Sequence, residues 1–228
     1  MSLFQRFERN DKGRDFVVGD IHGCFDLLSS AMDAVGFNPE KDRIFSVGDL
    51  VDRGPQSIDV IDWLKQPWFH AVRGNHEQLC IESDPSLHLV NGGAWFLSLP
   101  DEKQSEVRAA LGRLPIAIEV DLGDVKAGLV HAEVPGDDWP AFVEMLRDPP
   151  EILDHIERFA LWGRDIIRRR SPFSGVKGID AVFVGHTPVE SIIEIENVVY
   201  IDTGACFGRA LTMVNMASGE AVRVKVSE

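Results

Sequence analysis

Three short apolar runs in the first third of the chain each lead into a glycine followed by a polar residue. The runs are residues 16–18, 43–47 and 68–72, and the pairs that follow them are Gly19-Asp20, Gly48-Asp49 and Gly74-Asn75. Between the runs, apolar residues fall at helical spacing in residues 27–35 and at Ile58, Ile61 and Leu64. Strands that alternate with helices predict parallel pairing, and ligands bind beyond the carboxyl ends of such strands.

The second half of the chain is richer in strand patterns than the first. We predict strands at residues 116–120, 125–130, 181–184, 191–196, 198–201, 211–215 and 221–226, the first two joined as a hairpin. Residues 77–114 and 137–170 are predicted to be helical or irregular, and the first of these segments is a candidate cap over a site. Because no linker or repeat divides the chain, we expect one α/β domain over residues 1–228, with two packed mixed β-sheets flanked by helices.

Composition limits the partners of the chain. Its 228 residues are 44% hydrophobic and 26% charged, and no stretch approaches the roughly 18 uncharged apolar residues that a membrane span needs. The formal net charge of -14 disfavours nonspecific binding to nucleic acid or to an anionic membrane. The N-terminal residues show no signal-peptide pattern, so we expect a cytoplasmic protein without nucleic acid or membrane partners.

Polar clusters at the ends of the predicted strands are the main functional signal. The clusters are Asp20 with His22, Asp49 with Asp52 and Arg53, Asn75 with His76, His131, and His186. Carboxylate, amide and imidazole groups are ligands for divalent manganese, iron and zinc. Aspartates after a strand can also cap helices, but capping does not require neighbouring histidine and arginine. If the strand ends converge, these residues predict a metal site.

The order and spacing of these residues resemble the phosphoprotein phosphatase family of metallophosphoesterases. The matching segments are Gly19-Asp20-Ile21-His22-Gly23, Gly48-Asp49-Leu50-Val51-Asp52-Arg53-Gly54, Gly74-Asn75-His76-Glu77, His131-Ala132-Glu133, Trp162-Gly163-Arg164-Asp165 and Gly185-His186-Thr187-Pro188. Asn91-Gly92-Gly93-Ala94-Trp95 resembles the bacteriophage lambda phosphatase branch. The resemblance runs from Gly19 to Gly204 and implies a calcineurin-like fold.

The resemblance also implies two divalent metal ions, and we expect manganese with iron or zinc as alternatives. The first ion would be held by Asp20, His22 and Asp49. The second would be held by Asp49, Asn75, His131 and His186, so that Asp49 bridges the pair. A hydroxide between the ions would then attack phosphorus directly.

The resemblance assigns the remaining roles to nearby residues. His76 would protonate the leaving oxygen, and Asp52 would orient its imidazole. The predicted phosphate-binding residues are Arg53, Arg73 and Arg164, because a guanidinium group can contact two phosphate oxygens. The implied activity is that of a protein serine/threonine phosphatase acting on phosphoproteins or phosphopeptides, with phosphotyrosine and aryl phosphates as further substrates.

Two other functions remain open from the sequence. The first is a symmetrical diadenosine tetraphosphate hydrolase or another nucleotide phosphohydrolase. Symmetrical diadenosine tetraphosphate hydrolases resemble the same motif set but typically have alanine at the position of Asp52, which favours the phosphatase. A binding module that has lost the chemistry would lack a ligand, and every expected ligand is present.

Several residues outside the motifs receive a structural interpretation. His70, His88 and His155 are assigned to solvent or to structural hydrogen bonds, and Trp95-Phe96-Leu97 to the core rather than to a substrate groove. The run Arg168-Arg169-Arg170 is interpreted as a solvated face rather than a peptide-binding patch.

Overall fold

The apolar runs of the first third form adjacent parallel strands in the computed structural model, which describes residues 2–82, 84–168 and 172–225. The strands are β1 (Phe4–Phe7), β2 (Asp15–Val18), β3 (Arg43–Ser46), β4 (Phe69–Ala71), β5 (Ala117–Asp121), β6 (Lys126–Val130), β7 (Ala181–Val184), β8 (Ile193–Ile195), β9 (Val198–Tyr200), β10 (Ala210–Asn215) and β11 (Ala221–Lys225). The α-helices are α1 (Phe25–Ala34), α2 (Val60–Trp63), α3 (Asn75–Glu82), α4 (Pro85–Val90), α5 (Ala94–Leu97), α6 (Asp101–Leu111), α7 (Trp139–Arg147) and α8 (Leu153–Trp162).

The strands form two mixed sheets. One sheet has six strands in the order β1-β5-β6-β7-β9-β8, and the other has five in the order β11-β10-β2-β3-β4. Strands β2, β3 and β4 pair in parallel, whereas β10 pairs antiparallel to β2. The predicted hairpin is confirmed as the antiparallel pair β5 and β6.

Side chains from the two sheets pack against each other in the centre of the molecule. Val17 and Phe45 of the five-stranded sheet share this layer with Ile118 and Leu129 of the six-stranded sheet. The opposite faces of the sheets are covered by helices. Helices α1, α3 and α6 contribute to the core on the five-stranded sheet, and α7 and α8 to the core on the six-stranded sheet. Both faces of each sheet are therefore apolar, which explains why the central strands lack a polar alternation.

The prediction of an α/β fold with two packed mixed sheets is confirmed. One strand was missed: β1 contains Gln5 and Arg6 between two phenylalanines, and it forms by pairing in parallel with β5. The predicted helical face at Ile58, Ile61 and Leu64 is wrong in part, because Ile58 lies in a 3-10 turn and is 37% exposed. Residues 52–56 belong to the loop that follows β3 and residues 57–59 form the 3-10 turn, so α2 begins only at Val60.

Some predictions concern residues outside the described ranges. Arg169 and Arg170 of the arginine run and Val226 of the last predicted strand belong to this group. Among the residues that the structure describes, no helix combines the length and the apolar character required to cross a bilayer.

Candidate metal centre

The predicted metal ligands lie at the carboxyl ends of strands from both sheets. Asp20 follows β2, Asp49 follows β3, and Asn75 is the first residue of α3 after β4. From the facing sheet, His131 follows β6 and His186 follows β7. All of these side chains and that of His22 are buried, so the two sheets bring six separated positions together at one place.

One group of ligand atoms surrounds the amide oxygen of Asn75. Asn75 Oδ1 lies 2.9 Å from His131 Nε2 and 2.9 Å from His186 Nδ1. His131 Nε2 is also 3.3 Å from Asp49 Oδ1. The other nitrogen of His131, Nδ1, lies 2.8 Å from the carbonyl oxygen of Val47 and donates to it, so in the neutral ring the lone pair is on Nε2. Acceptor atoms that face each other in this way suit a shared cation.

A second group of ligand atoms lies on the other side of Asp49. His22 Nε2 is 3.4 Å from Asp49 Oδ2, while His22 Nδ1 lies 2.8 Å from the carbonyl oxygen of Val51. Asp49 therefore directs one oxygen toward each group, as the predicted bridging role requires. Asp20 accepts a hydrogen bond from the backbone of His186 at 3.0 Å and thereby lies next to the first group.

The residues fit divalent metal ions by a further criterion. In the described part of the chain, Asp20 Oδ1 is a buried polar atom without a hydrogen-bond partner. A buried polar atom without a partner costs about 1–3 kcal/mol, and coordination to an ion would satisfy it. Asp20 is a predicted ligand, and the donor set of carboxylate, amide and imidazole groups suits manganese, iron or zinc.

Excess negative charge in the buried site also favours cations. Burial, with the nearby Asp202 and Asp49, raises the pKa of Asp20 well above its usual value. Burial and the charge of Asp49 likewise raise the pKa of Asp202 to about 6. Burial would raise the pKa of Asp49 too, but His131 and His76 hold it well below its usual value. The buried carboxylates therefore favour the binding of a cation beside Asp49.

Two glycines allow the carboxylates to occupy these positions. A Cβ atom on Gly185 would overlap Asp20 Oδ1, and one on Gly74 would overlap Asp49 Oδ1. The backbone of the site is also strained. Of seven non-glycine residues with positive φ in the described ranges, five belong to the site, namely His22, Asp49, Asp52, Arg53 and His186. Strain of this kind persists where the surrounding contacts determine the backbone, and it concentrates at functional sites.

The predicted acid pair lies next to the ligand groups. His76 Nδ1 is 2.7 Å from Asp52 Oδ2, and both side chains are buried. The other ring nitrogen of His76, Nε2, faces the ligand groups and lies 3.9 Å from Asp49 Oδ2. Burial alone would raise the pKa of Asp52, but hydrogen bonds from His76 and His88 hold it below its usual value. The pair therefore has the contacts expected of an imidazole oriented by an ionised carboxylate.

The three predicted phosphate-binding arginines differ in placement. Arg53 NH1 is 2.6 Å from His22 Nε2, and Arg164 donates to Thr187 Oγ1 at 3.3 Å and to the His186 carbonyl at 3.5 Å. These two border the ligand groups. Arg73 is buried, and its guanidinium donates to Gln78 and to the carbonyls of residues 112 and 114. The contacts made by Arg73 are thus with the end of α6 rather than with the predicted ligands.

Sequence reasoning missed several residues that shape the site. Glu77 accepts hydrogen bonds from the backbone nitrogens of Asp49, Leu50 and Gly74 at 2.7–2.8 Å. Burial, with the charge of Asp49, raises the pKa of Glu77 to about 7. Asp202 lies beside Asp20, as the pKa of Asp20 indicates. His88 forms structural hydrogen bonds as predicted, but its acceptor is Asp52. Of these residues, Glu77 could have been found from the sequence, because it belongs to the segment Gly74-Asn75-His76-Glu77.

Comparison with known proteins agrees with the fold. A family model described as calcineurin-like phosphoesterase matches residues 16–190. Serine/threonine-protein phosphatase 1 of Salmonella typhimurium is 36% identical over 224 residues, which cover 94% of this chain and 97% of that protein. A symmetrical bis(5'-nucleosyl)-tetraphosphatase of Serratia proteamaculans is 29% identical over 156 residues, or 58% of this chain and 54% of that one.

Solved structures share the same architecture. A protein serine/threonine phosphatase from Saccharomyces cerevisiae superposes with a TM-score of 0.72 at 16% identity, covering 100% of this chain and 85% of that one. Fold, site and sequence together define a metal-dependent phosphoesterase. The chain belongs to the calcineurin-like phosphoesterase family.

Proposed function

We propose that this enzyme is a protein serine/threonine phosphatase, a phosphomonoesterase that also accepts phosphotyrosine and aryl phosphates. The observation that carries the proposal is the convergence of the six predicted ligands, Asp49 among them, with His76 and Asp52 beside them. The similarity to a serine/threonine-protein phosphatase over almost the whole chain supports this substrate class.

The site would hold two divalent ions, and manganese is the ion that we propose. Asp20, His22 and Asp49 would hold one ion, and Asp49, Asn75, His131 and His186 the other. Ions bound there would lower the pKa of water and neutralise charge on the phosphoryl oxygens. The protein holds the ligands in fixed positions, because they lie close to strand ends and three of them, His22, Asp49 and His186, lie on strained backbone.

His76 supplies the proton for the leaving oxygen in this proposal. Its Nδ1–H is engaged by Asp52 at 2.7 Å, so the proton to be transferred is the one on Nε2, which faces the ligand groups. The alkoxide of serine or threonine is strongly basic and leaves poorly without a proton. A positioned general acid typically contributes about 10²–10⁴-fold to such a step.

Arg53 and Arg164 bind the phosphate in this proposal. Both lie at the margin of the ligand groups, and guanidinium groups can donate two hydrogen bonds to one phosphate. They provide local positive charge in a protein whose formal net charge is -14. Arg73 would act on the phosphate only if its guanidinium left the carbonyls that it now contacts.

The test compares phosphate release from a phosphoserine peptide, para-nitrophenyl phosphate and diadenosine tetraphosphate in the presence of Mn²⁺. The matched variants are Asp20→Asn, which removes one predicted ligand charge, and His76→Asn, which removes the acid. We expect peptide hydrolysis that requires Mn²⁺, stops with a chelator and falls by at least 100-fold in both variants. Preferential cleavage of the dinucleotide would instead assign the chain to the dinucleotide hydrolases.

A further inference from the structure

Asp52 receives more hydrogen bonds than its pairing with His76 requires. Trp95 Nε1 donates to Asp52 Oδ1 at 2.7 Å, and His88 Nε2 lies 2.9 Å from Oδ1 and 3.0 Å from Oδ2. His76 Nδ1 lies 2.7 Å from Oδ2. Asp52, His76 and His88 are at most 1% exposed. Three nitrogen donors therefore hold one buried carboxylate, and both of its oxygens are engaged.

The two additional donors come from a segment that lies apart from the metal-ligand motifs. His88 belongs to α4 and Trp95 to α5, and the turn between these short helices contains Gly92 and Gly93. A Cβ atom on Gly93 would overlap the imidazole of His88, so the turn packs directly against that ring. The ring of Phe96 lies 5.3 Å from the same imidazole, centroid to centroid. Packing thus fixes the position of the His88 donor.

The arrangement is not a further metal site. Asp52, Cys80 and His88 are close enough together to hold an ion. However, the oxygens of Asp52 already accept N–H groups, and an indole N–H can only donate. Burial and the charge of Asp52 raise the pKa of Cys80, which disfavours the thiolate form that binds metals.

We propose that His88 and Trp95 are positioning residues that lock the carboxylate of Asp52 and thereby orient the imidazole of His76 for proton donation. A carboxylate with one donor can rotate about its Cβ–Cγ bond, and the His76 ring would follow it. Donors on Oδ1 as well as Oδ2 fix the carboxylate plane and hence the direction of His76 Nε2. The role rests on the proposed phosphomonoesterase function, in which His76 protonates the leaving oxygen.

This role has a signature that a purely structural contact lacks. Misorientation of the acid slows the loss of a basic leaving group such as a serine alkoxide. The loss of a nitrophenolate, which is stable without a proton, is affected much less. The substrate phosphate binds elsewhere, so KM should change little. The ratio of kcat on a phosphoserine peptide to kcat on para-nitrophenyl phosphate therefore measures the proposed role.

The first variant is Trp95→Phe, which removes the indole donor and keeps an aromatic ring. We expect kcat on the phosphoserine peptide to fall about tenfold, a part of the effect typical of a general acid, and kcat on the aryl phosphate to fall less than threefold. The matched control is Trp139→Phe, since Trp139 Nε1 donates to the carboxylate of Glu119 at 2.8 Å outside the site. The control should leave the ratio of the two kcat values unchanged.

Variants at His88 separate the donor from the packing. His88→Gln can place an amide N–H near the position of Nε2, and His88→Leu removes the donor while filling the space. We expect His88→Leu to lower the ratio of the two kcat values about as much as Trp95→Phe does. In His88→Gln the logarithm of that ratio should fall by no more than half as much as in His88→Leu. Thermal unfolding of each variant shows whether it is folded at the assay temperature.

A double-mutant cycle with His76→Asn decides whether the effect passes through the acid. If it does, adding Trp95→Phe to His76→Asn changes kcat on the peptide less than twofold. Equal losses on both substrates, or the full tenfold loss in the His76→Asn background, would overturn the proposal and leave the proposed function intact. If the unaltered protein hydrolyses neither substrate, the proposed function fails and this role fails with it.

Discussion

Oε2 of the Glu77 carboxylate lies 2.8 Å from the backbone nitrogen of Asp49, and it also accepts a hydrogen bond from the backbone nitrogen of Gly74 at 2.7 Å. Its other oxygen accepts from Leu50 at 2.8 Å and from Val51 at 3.3 Å. A side chain at the start of α3 therefore ties together the loops that follow β3 and β4. These loops carry Asp49 and Asn75, two of the predicted metal ligands.

The first prediction concerns this contact. In Glu77→Gln one oxygen becomes an amide NH₂, and either orientation of the amide directs N–H groups against backbone N–H groups. We expect the free energy of unfolding to fall by about 2–3 kcal/mol, because buried donors lose their acceptor. Urea unfolding in the presence of chelator measures this value without a contribution from metal.

Glu82→Gln is the matched control for the same chemical change. Glu82 is an exposed residue of the same helix, and within the described ranges it accepts from the Gln78 side chain at 2.8 Å. Its unfolding free energy should stay within about 0.5 kcal/mol of the unaltered protein. A Glu77→Gln protein as stable as Glu82→Gln would contradict the proposed link between the two loops.

A second prediction uses the thermal stability gained from metal. A ligand at 100 times its Kd stabilises the folded state by about 2.7 kcal/mol, which for a chain of this size raises Tm by about 5–10 °C. We expect this increase on addition of Mn²⁺ and its reversal by a chelator. Asp49→Asn should abolish the increase, because Asp49 faces both ligand groups.

Asp52→Asn is the comparison variant for this experiment. Asp52 is also buried and follows β3, but its oxygens accept from nitrogen donors and it is not a predicted ligand. Whatever the Tm of this variant without metal, the increase caused by Mn²⁺ should be retained. Loss of the increase in both variants, or in neither, would be evidence against the assignment of Asp49 as the bridging ligand.

The strand ends were predictable because each change from apolar to polar residues is a local signal. β2, β3, β6 and β7 end where residues 18, 47, 130 and 184 had indicated, to within one residue. β1 could not be found in this way, since the sequence of residues 4–7 contains two polar positions and its pairing partner β5 lies more than 100 residues further along the chain. Its strand conformation is a consequence of tertiary pairing.

Long-range contacts also explain what was missed in the site. The motif residues were identified together because their types form a recognisable set, whereas His88 and Trp95 reach Asp52 across 36 and 43 residues of chain. Arg73 shows the opposite case. Its neighbour Asn75 lies in the ligand group, but a long side chain can point elsewhere, and its guanidinium contacts the carbonyls after α6.

The third prediction distinguishes the arginines by function and stability. Arg164→Ala removes a half-buried side chain with weak protein contacts, so we expect an unfolding free energy within about 0.5 kcal/mol of the unaltered protein. Loss of a phosphate contact should lower kcat/KM on the phosphoserine peptide by about 10-fold or more. Steady-state kinetics and inhibition by inorganic phosphate measure the loss.

Arg73→Ala should behave differently. The buried guanidinium donates to three oxygens, and its removal takes the Arg73 hydrogen bonds away from those acceptors. We expect the unfolding free energy to fall by about 2–3 kcal/mol. If Arg73→Ala were as stable as the unaltered protein and Arg164→Ala retained full kcat/KM, the assignment of the two residues would have to be exchanged.

The last prediction concerns acid stability far from the metal centre. Asp42 precedes β3, is 1% exposed, and accepts from the backbone nitrogens of Arg14 at 2.8 Å and Asn38 at 3.0 Å. The Arg14 guanidinium lies 2.6 Å from its Oδ2. Burial alone would raise the pKa of Asp42, but these hydrogen bonds from Arg14 and Asn38 hold it below its usual value.

A carboxyl group with a lowered pKa in the folded state stabilises the protein above its unfolded pKa of about 3.9, and this contribution is lost as the pH falls through the lower, folded value. We therefore expect Asp42→Asn to lower the unfolding free energy by about 2 kcal/mol at pH 7. The difference from the unaltered protein should remain constant down to about pH 5 and shrink below pH 4. Urea unfolding in chelator from pH 7 to pH 3 measures it.

Asp11→Asn provides the control, since Asp11 forms an exposed ion pair with Arg9 at 3.2 Å. That substitution should change stability by less than about 1 kcal/mol at every pH, because exposed pairs are screened by solvent. An Asp42→Asn difference that stayed constant down to pH 3 would mean that the carboxylate charge is not what matters. The loss would then come from the amide group of asparagine, whose NH₂ cannot accept a hydrogen bond from the backbone of Arg14 or Asn38 at any pH.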